Sequence, residues 1–209
     1  MRGFLFLAAA FALGPASASP VPAKISAIVS IPLHQGVNIV PHFMPDGSSA
    51  TIVQAWRGNG NAHGYSDWLV LAPSSEGNRA GVVTLVDPRR TVPNDLIRDE
   101  PFDGERVIET IRFARGRVNG ARASLMLDAR LDATPSGIFA ERAPAMVRIF
   151  QLVATDGTPG ETPYEFRLIS SIHTTKHYCN AELALAQTLR IPLGARFAGP
   201  NRVDGCFPG

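Results

Sequence analysis

One turn constrains the fold of this chain more than any other feature. Asn119-Gly120 lies between two apolar segments, 105–115 and 121–131, and Asn-Gly is the strongest short-range signal for a tight β-hairpin. The second segment, ARASLMLDARL, alternates, which predicts a strand with one buried and one solvated face. The buried face is predicted to carry Ala123, Leu125, Leu127, Ala129 and Leu131, and the solvated face Ser124, Asp128 and Arg130.

Strand-like segments of the same kind occupy most of the remaining chain. They are predicted at 36–43, 50–56, 65–72, 81–87, 145–154 and 164–174. The segment 145–154 is apolar at both parities, so part of it is expected to be buried on both faces. One helix is predicted over 181–190, with Asn180 as its N-cap. The fold class is therefore mainly β (α+β): an antiparallel sheet or sandwich with one C-terminal helix. The pattern leaves open a sandwich or a helix-covered sheet.

The first residues resemble an export signal. A positive start is followed by the apolar run GFLFLAAAFALG and then by Ala16-Ser17-Ala18, the small residues that a signal peptidase reads. We expect a signal peptide over 1–18 and a single β-rich domain over 19–209, in the periplasm or secreted. No later stretch reaches the roughly 18 apolar residues of a membrane helix, so no integral membrane segment is predicted.

Charge and cysteine content narrow the partners. The formal net charge is +2, which gives no basic footprint for nucleic acid. Two cysteines in an exported chain most simply form a disulfide. Cys179 and Cys206 are therefore predicted to tether the C-terminal tail.

The sequence carries no familiar catalytic motif. It lacks G-x-S-x-G and S-x-x-K, and HTTKH (173–177) has two histidines at helical ligand spacing without the glutamate of H-E-x-x-H. Zinc held by His63, His173 and His177 is a weak alternative, and a triad with distant members stays open. Asp99 and Glu109 lie in polar stretches, where solvated carboxylates are expected. No cofactor is predicted, and the missing motifs favour a protein that is not an enzyme.

The segment WRGNGNAHGYSDW (56–68) is the first candidate for a binding site. Its glycines miss the dinucleotide spacing by one residue, and a strand follows where phosphate binding needs a helix. Loops on rigid scaffolds often carry binding residues. The alternative is structural: the glycines and asparagines allow the turns of the loop, and the tryptophans pack in the core. The hypothetical ligand-binding residues are Trp56, Arg57, Asn59, Asn61, His63, Tyr65 and Trp68.

Several short stretches together resemble the periplasmic carbapenem intrinsic-resistance (self-resistance) proteins. The matching positions are Arg57, Asn59, Asn61, Ala62, His63, Gly64, Tyr178 and Cys179, within a resemblance that covers about residues 36–190. The resemblance implies an exported protein that protects a cell from a carbapenem by sequestration or shielding, without being a β-lactamase. The family's ligand-binding residues are not carried over.

Three functions follow as expectations. The first is a non-enzymatic binding or protection protein for a β-lactam-like small molecule, with Arg57 pairing a ligand carboxylate. The second is a hydrolase with a non-sequential metal or triad site. The third is an envelope interaction protein whose edge strands recruit an envelope protein or a second copy, so a homodimer is left open.

Overall fold

The computed structural model describes residues 23–60, 64–73, 79–88, 92–99, 107–133, 141–158 and 161–193. Eleven strands and one helix lie within these ranges. In chain order they are β1 (Ile25–Ser30), β2 (Gly36–Val40), β3 (Ala50–Arg57), β4 (Tyr65–Pro73), β5 (Ala80–Val82), β6 (Thr84–Val86), β7 (Ile97–Arg98), β8 (Glu109–Val118), β9 (Ala121–Leu131), β10 (Ala145–Ala154), β11 (Tyr164–His173) and α1 (Ala181–Leu189).

The larger sheet has six strands in the order β1-β8-β9-β10-β11-β6. All its pairings are antiparallel except β11 with β6. The predicted hairpin is confirmed: β8 and β9 pair from Val118↔Ala121 outward, and Asn119 and Gly120 have φ of 50° and 85°. Positive φ at both turn positions is what a type I′ hairpin requires.

The smaller sheet has five strands. β2, β3, β4 and β5 follow one another in antiparallel pairs, and the two-residue strand β7 pairs with β4 on the same sheet. Neither β7 nor β1 lies in a segment that the sequence pattern predicts as a strand. Both strands are short or weakly patterned, and their pairing depends on neighbours far away in the chain.

The six-stranded sheet is the middle layer of the described structure. One face packs on the five-stranded sheet through an apolar core that includes Phe43, Phe113, Phe150 and Phe166. The opposite face packs on α1 through a second core that includes Leu185. The fold class is confirmed, and the two packings that the sequence left open both occur, one on each face.

Burial on the middle sheet corrects one prediction. Asp128, assigned to a solvated face, is only 1% exposed. That face of β9 is turned toward the five-stranded sheet, and Asp128 lies opposite Arg148 of β10. The prediction that β10 is buried on both faces is confirmed, because Val147, Arg148, Ile149 and Phe150 are all buried. Alternation revealed the strand, but it could not reveal that a second sheet covers its polar side.

The single helix begins as predicted. The Asn180 side chain accepts a hydrogen bond from the backbone N–H of Glu182 at 2.8 Å, and Arg190 in left-handed conformation ends the helix. In the described ranges, α1 is the only helix, and its nine residues are too few to cross a bilayer.

Candidate functional site

The loop segment singled out in the sequence connects two paired strands. β3 and β4 are antiparallel, with Trp56 opposite Ser66 and Arg57 opposite Tyr65 at the loop end. The strand-to-strand connection is therefore as predicted. Asn61 and His63 lie outside the described residues, so their part in a site stays a prediction.

Trp56 lies over its own loop. Its side chain is 45% exposed, and a Cβ added to Gly64 would overlap the six-membered ring of the indole. Gly64 is thus needed for close approach of the backbone to the ring, which is a packing role. Asn59 is exposed in the same loop.

Three side chains meet where the loop joins the sheets. The Arg57 guanidinium donates from Nη1 to the Tyr65 hydroxyl at 2.5 Å and lies 5.5 Å from the ring centroid. The Arg98 guanidinium lies 4.6 Å from the same centroid, because β7 pairs with β4 beside Tyr65. We call Arg57, Tyr65 and Arg98 the rim cluster.

Arg98 is fixed by a carboxylate. Its Nε donates to Asp67 Oδ1 at 2.6 Å and its Nη2 to Oδ2 at 3.4 Å, a two-pronged contact on the exposed side of the sheet. This hydrogen bonding, more than the charge of Asp67, raises the pKa of the Arg98 guanidinium. Arg57 differs, since within the described part of the chain its guanidinium contacts Tyr65 and the residue is exposed.

Tyr65 and Arg98 line a cleft of about 400 Å³, whereas Arg57 is not among its lining residues. The cleft extends between the two sheets to a buried charge cluster centred on Arg148. Arg148 Nη1 donates to Asp87 Oδ2 at 2.8 Å, Nη2 pairs with Asp128 Oδ2, and Glu109 Oε1 lies 3.7 Å from Nη2. All four side chains are at most 6% exposed. We call Arg148, Asp87, Glu109 and Asp128 the acidic cluster.

The strand register explains this cluster. Arg148 and Asp128 are direct partners across β9 and β10, Glu109 begins β8, and Asp87 follows β6. Asp99 also lines the cleft, and its Oδ1 accepts the backbone N–H of Ser66 at 2.7 Å. Asp99 and Glu109, expected to be solvated, are 4% and 5% exposed, because each binds a group inside the fold.

Charge differs along the cleft. Its lining holds Arg98, Arg130 and Arg148 against four carboxylates, those of Asp87, Asp99, Glu109 and Asp128. With all of them ionised, the inner part is slightly acidic and repels an anion, whereas the rim cluster is cationic. An anionic group would therefore be held at the rim.

Trp68 is separated from the rim cluster. It is 4% exposed and packs in the core between the sheets. The loop candidates thus divide: Trp56, Arg57 and Tyr65 lie around the loop end, while Trp68 points into the core.

The histidines of the metal alternative do not gather among the described residues. His173 Nε2 lies 2.7 Å from Asp132 Oδ2 at the exposed end of β11, and His177 is exposed nearby. His63 is outside the described ranges. Within those ranges no group of three or more His, Cys, Asp or Glu side chains is arranged to hold a metal ion.

Cys179 is buried beside the start of α1, at 1% exposure, and Tyr178 pairs with Ala143 through the backbone. Cys206 lies outside the described residues, so the Cys179–Cys206 disulfide stays a prediction.

The sequence pattern did not predict that the acidic cluster or Arg98 would be part of a site. One signal was present: Arg148 interrupts a strand that is apolar at both parities, and a charge in such a place needs a buried partner. Nothing in the sequence indicates that the partners are Asp87, Glu109 and Asp128, because they come from three other strands or their ends.

Comparison with known proteins gives a likeness of fold. No protein-family model matches this chain, and no curated protein matches it. The crystal structure of CarG matches with a TM-score of 0.59 over 75% of this chain and 92% of the CarG chain, at 14% sequence identity. At that identity the match establishes a shared fold alone.

Proposed function

We propose that this chain is an exported binding or protection protein that acts without catalysis, and that its ligand is a carbapenem or a related β-lactam. The rim cluster is the proposed site. The observation that carries the proposal is Tyr65, which lines a 400 Å³ cleft and has two guanidinium groups, those of Arg57 and Arg98, within 5.5 Å of its ring centroid. The sequence resemblance to carbapenem intrinsic-resistance proteins and the fold shared with CarG motivate the choice of ligand.

The chemistry of the rim suits a small anion. β-Lactams of this class carry one carboxylate, which a guanidinium can bind through its five N–H donors. On Arg57, one of these donors is already hydrogen-bonded to the Tyr65 hydroxyl. Arg98 is neutralised by Asp67, so Arg57 is the principal anchor. The four carboxylates deeper in the cleft keep the anion at the rim. A cleft of this volume lies within the usual range of small-molecule sites.

The direct test is calorimetric titration of the purified mature protein with imipenem. Wild-type protein is expected to bind it saturably. Arg57→Ala is expected to weaken binding roughly 10- to 100-fold, because a charge-assisted hydrogen bond to a carboxylate is lost. Arg122→Ala removes an exposed arginine of β9 away from the cleft and serves as the matched control, with unchanged affinity.

Three outcomes would contradict parts of the proposal. Absence of binding by the wild-type protein removes the ligand class. Equal affinity of Arg57→Ala and wild type removes the rim cluster as the site. Mass spectrometry of the recovered ligand tests the absence of catalysis: imipenem is expected to return intact, and a ring-opened product accumulating with time favours the hydrolase alternative.

Export is tested separately. Cells expressing the full chain are fractionated, and the N-terminus of the product is sequenced. We expect the protein in the periplasm or medium, beginning at Ser19 after cleavage behind Ala18. A cytoplasmic product that begins at residue 1 or 2 contradicts export without bearing on ligand binding.

A further inference from the structure

The five-stranded sheet has two sides with different surroundings. Its inner side packs on the six-stranded sheet, and Ile52, Trp68 and Val70 point into that core. The strand pairings place the residues between these on the opposite side, which we call the outer face. Its uncharged side chains are those of Val37, Ile39, Thr51, Val53, Ala55, Leu69, Leu71 and Val82.

The outer face is accessible. Ile39 and Val37 are 71% and 60% exposed, Ala55 is exposed, and the other members are half-buried by their neighbours in the sheet. Among the described residues, none of these side chains belongs to either apolar core. The face is therefore a continuous, largely apolar surface across β2, β3, β4 and β5.

The composition of this face is unusual for a solvated sheet surface. An antiparallel sheet with one wet side normally alternates apolar and polar residues. β4 instead contains Trp68-Leu69-Val70-Leu71-Ala72, which is apolar at both parities, as β10 is. β10 lies in the middle layer and is buried on both faces. The same pattern in β4 indicates that a further layer covers the outer face.

Charge at this surface is confined to its loop end. There Asp67 pairs with Arg98, and Arg57 contacts Tyr65. The eight side chains of the outer face carry no charge, so a strongly acidic or basic partner gains nothing from them. A second copy of the chain presents the same uncharged surface and meets it without repulsion between like charges.

The size of the outer face fits an interface between two copies. Four strands about 4.8 Å apart and five residues of β3 with a rise of about 3.4 Å give a flat area of roughly 320 Å², before the relief of the side chains is counted. A stable interface buries about 800 Å² on each partner, a little over half of it apolar. The outer face thus has the order of size of the apolar part of such an interface.

We propose that two copies of this chain associate through the outer faces of their five-stranded sheets, related by a twofold axis. Two sheets that stack face to face at a spacing of about 10 Å bury the side chains between them. Each copy then supplies the layer that covers β4 of the other. This association is through sheet faces and is independent of the ligand proposed for the rim cluster.

The test is sedimentation equilibrium of the full mature protein over a wide range of concentration, where a reversible monomer–dimer equilibrium is expected. Leu71→Glu and Ile39→Glu are each expected to raise the dissociation constant at least about 100-fold, because a twofold interface buries the new carboxylate twice. Both positions are at least partly exposed in the single chain, and circular dichroism establishes that each variant is folded.

The matched control is Val29→Glu. Val29 is an exposed apolar residue, 65% accessible, on the edge strand β1 of the other sheet. The same carboxylate at this position is expected to leave the dissociation constant unchanged. A non-reducing denaturing gel is expected to show monomer only, since the proposed association is not covalent.

Four results would overturn the proposal. They are monomer mass at every concentration, dimerisation of folded Leu71→Glu and Ile39→Glu with wild-type affinity, dissociation by Val29→Glu, and a disulfide-linked dimer on the gel. Monomer that binds phospholipid vesicles through Leu71 counts with the first, because the face then serves a membrane. Ile39 and Leu71 do not line the cleft beside the rim cluster, so failure here is distinguishable from failure of the carbapenem proposal.

Discussion

Two arginines on opposite faces of the six-stranded sheet have different surroundings. Arg148 faces the five-stranded sheet and has three carboxylates around it, while Arg112 faces α1 and, among the described residues, forms an ion pair with Glu182. The Thr110 hydroxyl donates a hydrogen bond to Glu182, and Arg112 itself donates one to the carbonyl of Pro192. One face holds a balanced pair, whereas on the other face three carboxylates surround Arg148.

The difference shows what each face does for the fold. On the helix side, the pair connects α1 and the segment after it to β8, and the charges nearly compensate. On the sheet side, Arg148 is the central cation of the acidic cluster, and its Nε has no hydrogen-bond partner among the described residues. Removal of one partner from a buried ionic group leaves uncompensated charge, which costs more than the intact group contributes.

The largest effect is expected for Arg148→Met. The three carboxylates then lose their central cation at no more than 6% exposure. We expect a loss of about 3–5 kcal/mol in the free energy of unfolding, measured by urea denaturation. A loss of that size is a large part of the total stability of a typical domain.

Two further variants check this prediction. Arg148→Lys retains the charge without the planar fork and is expected to fall between wild type and Arg148→Met. Arg122→Met, on the exposed part of β9, is expected to change stability by less than about 0.5 kcal/mol. Equal urea midpoints for Arg148→Met and Arg122→Met would show that the cluster contributes nothing.

A smaller effect is expected on the helix side. Glu182→Gln preserves side-chain volume but removes the charge that pairs with Arg112, which still contacts Pro192 O. We expect a loss of about 1.5–3 kcal/mol by the same urea measurement. Replacing both partners together, Arg112→Met with Glu182→Leu, is expected to recover part of this loss. A Glu182→Gln loss greater than that of Arg148→Met would reverse the comparison.

The contrast between the two faces also indicates which parts of the structure can be predicted from the sequence. The strands β9 and β10 match their predicted bounds, and the β8–β9 turn follows from Asn119-Gly120 alone, because these signals are local. The helix cap at Asn180 is local in the same sense. The alternating pattern around Asp128 predicted the strand correctly but placed Asp128 in solvent. The five-stranded sheet that covers this residue is built from residues 36–98, far away in the chain.

The candidate sites depend almost wholly on such distant placement. Arg57 and Tyr65 were predicted together from their loop, but Arg98 joins them through β7, a two-residue strand too short to carry a pattern. The acidic cluster gathers residues from positions 87 to 148. The pairing of β1 with β8 stops at Ser30↔Ala114 while β8 continues back to Glu109, and no property of either strand's own sequence predicts that offset.

An exposed pair extends the comparison from buried to solvated ions. Arg98 and Asp67 form a two-pronged contact with side chains 47% and 19% exposed. Arg98→Ala is expected to cost at most about 1 kcal/mol in urea denaturation, because solvent screens the pair. A cost equal to that of Arg148→Met would mean that stacking on Tyr65, rather than burial of charge, decides these energies.

The smallest effect concerns a carboxylate outside both faces. Asp46 accepts hydrogen bonds from the Ser48 hydroxyl at 2.7 Å, the Ser48 N–H at 2.9 Å and the Tyr164 hydroxyl at 3.1 Å. The Ser48 hydroxyl, foremost among these donors, lowers the pKa of Asp46 below its ordinary value of 3.8.

A carboxylate with a depressed pKa stabilises the fold above its unfolded-state pKa, and this contribution disappears as the pH falls through the folded-state value. The stability advantage of wild type over Asp46→Asn should therefore shrink between about pH 5 and about pH 2. Because Asp46 is exposed, the whole change is expected to be a few tenths of a kcal/mol. Asp95→Asn, at an exposed carboxylate without a hydrogen bond to any described residue, is the matched control and should show no such trend. If the difference in unfolding free energy between wild type and Asp46→Asn stays constant with pH, the three hydrogen bonds stabilise the charged and the neutral carboxyl equally. Burial alone then decides how much each ionic group of this fold contributes to stability.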